Sequence, residues 1–136
     1  MVRAGQPLGP QIAALGEMVE AKQEEFVQKL GARFSALLVE NTPLDTGLLR
    51  GSWKAGKGGN IRRDGNTDWR NNLNELIAFW AGWKVGTKAF LVNTAFYSRY
   101  VEEGTHKMAP RAMLARTRQS VPRMASEVAR EVWSNR

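Results

Sequence analysis

Few residues in this chain have types and spacing that suit acid–base or metal chemistry: Asp45, Glu102, Glu103 and His106. Brought together, three carboxylates and an imidazole could bind a divalent cation or polarise a water, and a hydrolase using Asp45, Glu102 and His106 would follow. A simpler reading competes, in which Asp45 caps a turn while Glu102 and Glu103 end a short helix beside a basic tail. The sequence has no cysteine and a single histidine, which removes thiol catalysis, disulfides, thiolate metal sites and histidine cages. Gly56-Lys57-Gly58-Gly59 lacks the Gly-Lys-Ser/Thr order and the strand-to-helix setting of a phosphate-binding loop, and no nucleophile motif is present. The expectation is a protein that is not an enzyme, with no catalytic residue, no cofactor and no metal.

Nucleic-acid binding is the other chemistry to weigh. Lys54, Lys57, Arg62 and Arg63 could meet phosphates while Trp53 or Trp69 stacks on a base. Against this, both tryptophans fall in expected regular elements, where a core role is usual, and a basic loop is most often simply solvated. The net charge of +7 is uneven: residues 1–41 sum to −1, residues 42–103 to +3 and residues 104–136 to +5. A basic C-terminal end suits nucleic acid or an acidic protein surface, and charge alone does not choose between them. Five tryptophans in 136 residues also favour interfaces, where large rings supply contact area at low entropic cost.

The elements that must position these residues follow from periodicity. Ile12, Leu15, Val19, Phe26, Leu30, Phe34 and Leu37 recur at three-or-four spacing and predict one long amphipathic helix, ended by Asn41, Thr42 and Pro43. Gly16 and Gly31 lie inside it and suggest local bending. A polar turn at 44–47 leads to an expected strand over Leu48 to Lys54, anchored by Trp53. Residues 56–66 are glycine-rich and basic, an exposed loop. Thr67 is the expected N-cap of a second helix carrying Trp69, Leu73, Leu76, Ile77 and Trp80 and stopping at Gly82. Val85 to Thr94, with Phe90, Leu91 and Val92 bounded by Gly86 and Asn93, predicts a strand near the centre of a sheet. Phe96 to Glu103 reads as a short turn or helix, and a C-terminal helix follows, with Pro122 predicting a kink or restart near Ser120.

This order gives an α+β fold: a long N-terminal helix, a small, mostly antiparallel sheet, and a central and a C-terminal helix packed around it. A chain of 136 residues suits one domain spanning 1–136, with an exposed basic loop at about 55–66. Its apolar runs are too short to cross a bilayer and its first residues lack the pattern of a signal peptide, so a soluble protein kept in the cytoplasm is expected.

Two segments carry a family resemblance. Thr42-Pro43-Leu44-Asp45-Thr46-Gly47-Leu48-Leu49-Arg50-Gly51-Ser52-Trp53 resembles the TP-x-DTG-x-L-R-x-S signature of phage tail-completion (neck, head–tail joining) proteins. Further on, the stretch from Leu91 through Asn93, Tyr97, Tyr100, Glu102 and Gly104 to Pro110 is similar to the second signature, NN-x-x-YA-x-x-x-E-x-G followed by AP and a C-terminal helix. The two stand in the right order and at the right separation. Thr94 departs from a frequent second Asn and Ser98 from a usual Ala, and Ala112-Met113 replaces a common Gly-Met.

The motif residues make sense as scaffold. Asp45 and Thr46 can bond nearby amides, Gly47 can take a positive φ, Asn93 can cap the turn after it, Tyr97 and Tyr100 offer apolar bodies with polar tips, and Gly104 can take the left-handed conformation that ends a short helix. Arg50, Trp53, Glu102 and Pro110 complete this set. The resemblance implies a structural virion protein of the tail neck, a tail-completion or tail-terminator component of the head–tail connector, assembled in the host cytoplasm. It implies a homo-oligomeric ring, usually a hexamer, with a head-side stopper or adaptor protein above, tail-tube or terminator subunits below, and viral DNA crossing the lumen without sequence-specific binding. No membrane partner is implied. Candidate interface residues are Lys57, Arg62, Arg63, Arg111, Arg116, Arg118 and Arg123. The alternative is a small cytoplasmic nucleic-acid-binding module.

Overall fold

The computed structural model describes residues 8–44, 47–58, 61, 65–95, 97–104 and 111–134. Its elements are α1 (Leu8–Glu40), a 3-10 turn (Arg50–Ser52), β1 (Trp53–Gly56), α2 (Trp69–Ala81), β2 (Phe90–Asn93), α3 (Ser98–Glu103), α4 (Met113–Gln119) and α5 (Val121–Ser134). The fold is α+β: among the described residues there are five helices and one antiparallel strand pair.

The 33 residues of α1 make a rod about 50 Å long at 1.5 Å per residue. Its C-terminal half carries the apolar face that organises the rest. Leu38 and Val39 join Leu49, Trp53, Leu76 and Met113 in the core, with Phe34, Trp69, Leu73, Leu91, Tyr97, Val101 and Leu114 packed around them. The helix stops where expected, because Asn41 N–H still reaches the Leu37 carbonyl (2.8 Å) but Pro43 has no N–H to continue the ladder.

A second packing surface joins α1 to the antiparallel α5. Met124, Val128 and Val132 are buried along it. Lys22 Nζ donates to the Val132 carbonyl (2.9 Å), Lys29 pairs with Glu131 (2.8 Å), Arg33 with Glu127 (2.5 Å), and Phe26 meets the Trp133 ring at 5.5 Å. The expected restart is present: α4 ends at Gln119 and α5 begins at Val121, with Pro122 in its first turn, where a missing N–H leaves no helical bond unmade.

Three local expectations need correction. Residues 48–52 are not strand: a turn and the 3-10 segment fill them, and β1 begins at Trp53. The N-cap of α2 is Asp68 rather than Thr67, its carboxylate accepting from Asn71 N–H at 3.3 Å. β2 is shorter than the expected Val85 to Thr94, running only from Phe90 to Asn93, and it is not central, since the sheet has two strands among the described residues, and Phe90 and Val92 are 45% and 37% exposed. One face of an antiparallel pair packs and the other meets solvent, so its apolar run alternates instead of burying throughout. The register pairs Trp53 with Asn93 and Gly56 with Phe90. Two strands alone are marginal in water, and α1 and α2 supply the missing cover.

Candidate functional site

The two signature segments meet at the C-terminal end of α1. Thr42, 1% exposed, is the hub: its hydroxyl donates to the Leu38 carbonyl (2.7 Å) and accepts from Trp53 Nε1 (2.9 Å). Trp53 thereby buries its ring with its one polar atom satisfied, avoiding the cost of about 1–3 kcal/mol that an unmade buried hydrogen bond carries. Arg50 Nε donates to the Thr42 carbonyl (2.7 Å) and Nη2 to that of Glu40 (3.4 Å). A cation on the last carbonyls of α1 also meets the negative end of the helix dipole. The same guanidinium lies 4.6 Å over the Trp69 ring, which Arg70 also meets, at 4.5 Å.

Two glycines permit close approach here. Gly47 has φ +87°, and a Cβ on it would stand 2.6 Å from the Thr67 carbonyl oxygen. A Cβ on Gly51 would fall 1.5 Å from the Asn66 carbonyl oxygen, while Asn66 N–H donates to the Gly51 carbonyl at 3.2 Å. The chain after the basic loop thus returns beside the turn that precedes it.

The second signature closes the corner. Asn93 Nδ2 donates to the Leu49 carbonyl (3.0 Å) and its Oδ1 accepts from Ala95 N–H (2.9 Å). Ser52 O accepts both the N–H (2.9 Å) and the hydroxyl (3.2 Å) of Thr94. Tyr97 is half-buried against the core, whereas Tyr100 is exposed. Gly104 has positive φ, but its ψ of 173° is extended rather than left-handed helical. Beyond it, Arg111 N–H reaches back to the Val101 carbonyl (2.8 Å).

Glu102 has a defined partner. Its two carboxylate oxygens accept from Leu114 N–H (2.8 Å) and Ala115 N–H (3.1 Å), in the first turn of α4. Ala112, which precedes that helix at φ 47°, offers no side-chain cap, so an anion from α3 supplies what α4 lacks. Both oxygens are engaged by backbone donors, which gives Glu102 a helix-capping role. Asp45 and His106 lie outside the described residues, as do Thr46, Arg62, Arg63 and Pro110. Among the described residues no three His, Cys, Asp or Glu side chains cluster to hold a metal ion.

The structure also redistributes the basic residues. Lys54 is buried, its ammonium donating to Asn72 Oδ1 (2.5 Å) while Asn72 Nδ2 donates to the Trp53 carbonyl (2.8 Å). Lys57, Arg111, Arg116, Arg118 and Arg123 are exposed. Sequence reasoning missed Thr42, Asn72 and the helix-capping role of Glu102. A threonine just after a helix was a legible signal for the first; nothing local marked the other two, whose partners lie far along the chain.

Beside the corner, Val27, Leu30, Gly31, Phe34, Trp80, Ala89, Leu91 and Val121 line an apolar groove of about 280 Å³. Trp80 forms one wall, its Nε1 donating to Ser35 Oγ at 2.8 Å.

Residues 8–104, well over half of the chain, match the model of the HK97-gp10-like family, described as "Bacteriophage HK97-gp10, putative tail-component". The chain belongs to the HK97-gp10-like family. It is accordingly a structural component of a phage tail and associates with other virion proteins. The match takes in both strands and the corner from Thr42 to Gly104, while α4 and α5 lie beyond it. No match came from the curated proteins or from the solved structures. No helix among the described residues is long and apolar enough to cross a membrane.

Proposed function

We propose that this tail component acts at the neck, as a hexameric ring that completes the tail and joins it to the head-side stopper or adaptor, with DNA passing through the lumen. The observation that carries the reading is the corner itself, where the two signature segments of tail-completion proteins interlock through Thr42, Arg50, Trp53 and Asn93. In this reading the 136 residues act as one domain. Asp45, Thr46, Gly47, Arg50, Trp53, Asn93, Tyr97, Tyr100, Glu102, Gly104 and Pro110 are scaffold, none of them a catalyst.

Lys57, Arg62, Arg63, Arg111, Arg116, Arg118 and Arg123 are the side chains proposed to meet acidic surfaces of neighbours or of the flanking head and tail proteins. The nucleic-acid module loses two of its elements, because Trp53 and Lys54 are both buried.

The test is imaging of particles from a phage with an amber stop in this gene. Filled heads beside separate tails support the neck role; intact infectious virions overturn it. Arg62→Glu with Arg63→Glu is expected to block joining while leaving the fold intact, and normal joining by that variant would remove the loop from the interface.

A further inference from the structure

Every residue from 12 to 21 of α1 is exposed, although this segment carries a regular apolar stripe. Ile12, Leu15 and Val19 are 57%, 56% and 42% exposed, and Met18 beside them 55%. The rest of the molecule grips the helix from Lys22 onward, through the Val132 carbonyl on one side and through Val85 N–H, which donates to Glu24 Oε1 (2.9 Å), on the other. Before it, the stripe of this N-terminal arm opens onto solvent, with Val85 lining the same shallow surface as Ile12, Leu15 and Val19.

We infer that this arm docks onto a second copy of the chain, its stripe Ile12, Leu15 and Val19 seating in the groove between Val27, Leu30, Phe34, Trp80, Leu91 and Val121 of the neighbour. The inference rests on the self-associating ring proposed above and names the contact that builds it. Four observations carry it.

The groove is apolar, and its volume of about 280 Å³ suits aliphatic side chains, since a cavity of roughly 150 Å³ already holds benzene. Stripe and groove match in length: Ile12 to Val19 and Val27 to Phe34 each span eight residues of helix, about 10 Å from end to end. The segments that contribute to them differ in the sign of their charge. Residues 8–21 carry Glu17 and Glu20 and no basic side chain, whereas residues 111–123, which contribute Val121 to the groove, carry Arg111, Arg116, Arg118 and Arg123 and no acid.

The fourth observation excludes the chain's own arm as occupant. Val27, Leu30, Gly31 and Phe34 lie on the same continuous helix as the stripe, so the arm cannot fold back onto them, and the groove is open to it only from another molecule. Stripe and groove are different surfaces, so the contact is heterologous and propagates from copy to copy until a ring closes. One arm is far smaller than the roughly 800 Å² per partner of a stable interface, and closure of the ring is what makes the contacts hold together.

The absence of native cysteine makes the test direct. The double variant L15C/A89C places one thiol on the stripe and one in the groove. It is oxidised as concentrated purified protein and in assembled particles, then separated under denaturing conditions. A ladder of covalent oligomers is expected, absent from either single variant. Addition of Leu15→Asp and Val19→Asp to the wild-type background should weaken self-association about tenfold or more, with helical circular dichroism unchanged.

Monomer alone in both preparations overturns the inference, as does a dimer that L15C also gives by itself, which would mean that arms pair with arms. If the ladder is missing while amber particles still separate into heads and tails, the arm falls and the neck reading stands. A ladder together with intact amber virions keeps the arm and removes the neck role.

Discussion

Residues 12–21 and 34–39 belong to one helix, yet the first segment is exposed throughout while the second holds Ser35, Leu38 and Val39 at 1% exposure or less. The apolar spacing is the same in both, so periodicity does not set the difference. At the C-terminal end α1 meets α2, the strand pair and the signature corner, which together cover its apolar face. At the N-terminal end the stripe outruns the body that could bury it. An amphipathic pattern records that a face will be covered, and the tertiary structure decides whether the cover comes from within the chain.

Substitutions at the two ends sharpen this contrast. Leu38→Ala removes a fully buried side chain and is expected to cost about 2–5 kcal/mol in chemical denaturation. Leu15→Ala at the exposed end is expected to stay within about 0.5 kcal/mol of the wild type. A similar loss there would show that the arm is packed in solution and would break the comparison.

The two interior glycines should respond with opposite signs. A Cβ on Gly31 would stand 2.3 Å from the Trp80 ring, so Gly31→Ala should destabilise by about 1–3 kcal/mol and disturb Trp80 fluorescence. Nothing lies within 4 Å of a Cβ on Gly16, and Gly16→Ala should stabilise by about 0.5–1 kcal/mol, the ordinary helix preference for alanine. Equal shifts in both variants would mean that Trp80 does not occupy the space at Gly31.

The smallest effect concerns the exposed pairs between α1 and α5. The hydrogen bond from Arg33 holds the Glu127 carboxyl below its usual pKa of 4.5, and that from Lys29 does the same for Glu131. Depressed carboxylates stabilise the folded state at pH above about 4.5, and that contribution is lost as pH falls through the lowered folded values. Lys29, raised above 10.5 chiefly by its bond to Glu131, contributes below that pH and ceases to as pH rises through its folded value. Glu127→Gln with Glu131→Gln should flatten the acid side of a melting-temperature profile slightly, and less so in high salt. An unchanged acid limb would leave the α1–α5 seam to Met124, Val128 and Val132, with the Lys22 hydrogen bond and the Phe26–Trp133 contact.

Much of this architecture was legible in the sequence. The long helix, its stop at Asn41, the aromatic helix ending at Gly82 and the restart at Ser120 all follow from spacing and from proline and glycine chemistry. What was hidden depends on partners distant in the chain. Gly31 reads as a weak point in a helix until Trp80 is placed against it. Glu102 reads as a helix-ending acid until Leu114 and Ala115 turn their N–H groups toward it. The apolar run at Phe90 to Val92 reads as a strand near the sheet centre because hydrophobicity does not reveal how many strands a sheet has. In the corner, Gly47 and Asn93 could be read as turn residues, whereas the convergence of Trp53 and Arg50 on Thr42 is a tertiary fact.

The clasp between Gly51 and Asn66 closes the base of the segment that holds the basic loop. A loop whose base is fastened can change length with little consequence for what lies beneath it, since doubling a flexible loop costs only about 0.6 kcal/mol in closure entropy. Insertions beyond the clasp should therefore leave the helical frame undisturbed, so that a loss of assembly in such a variant reports on the loop itself and not on the fold.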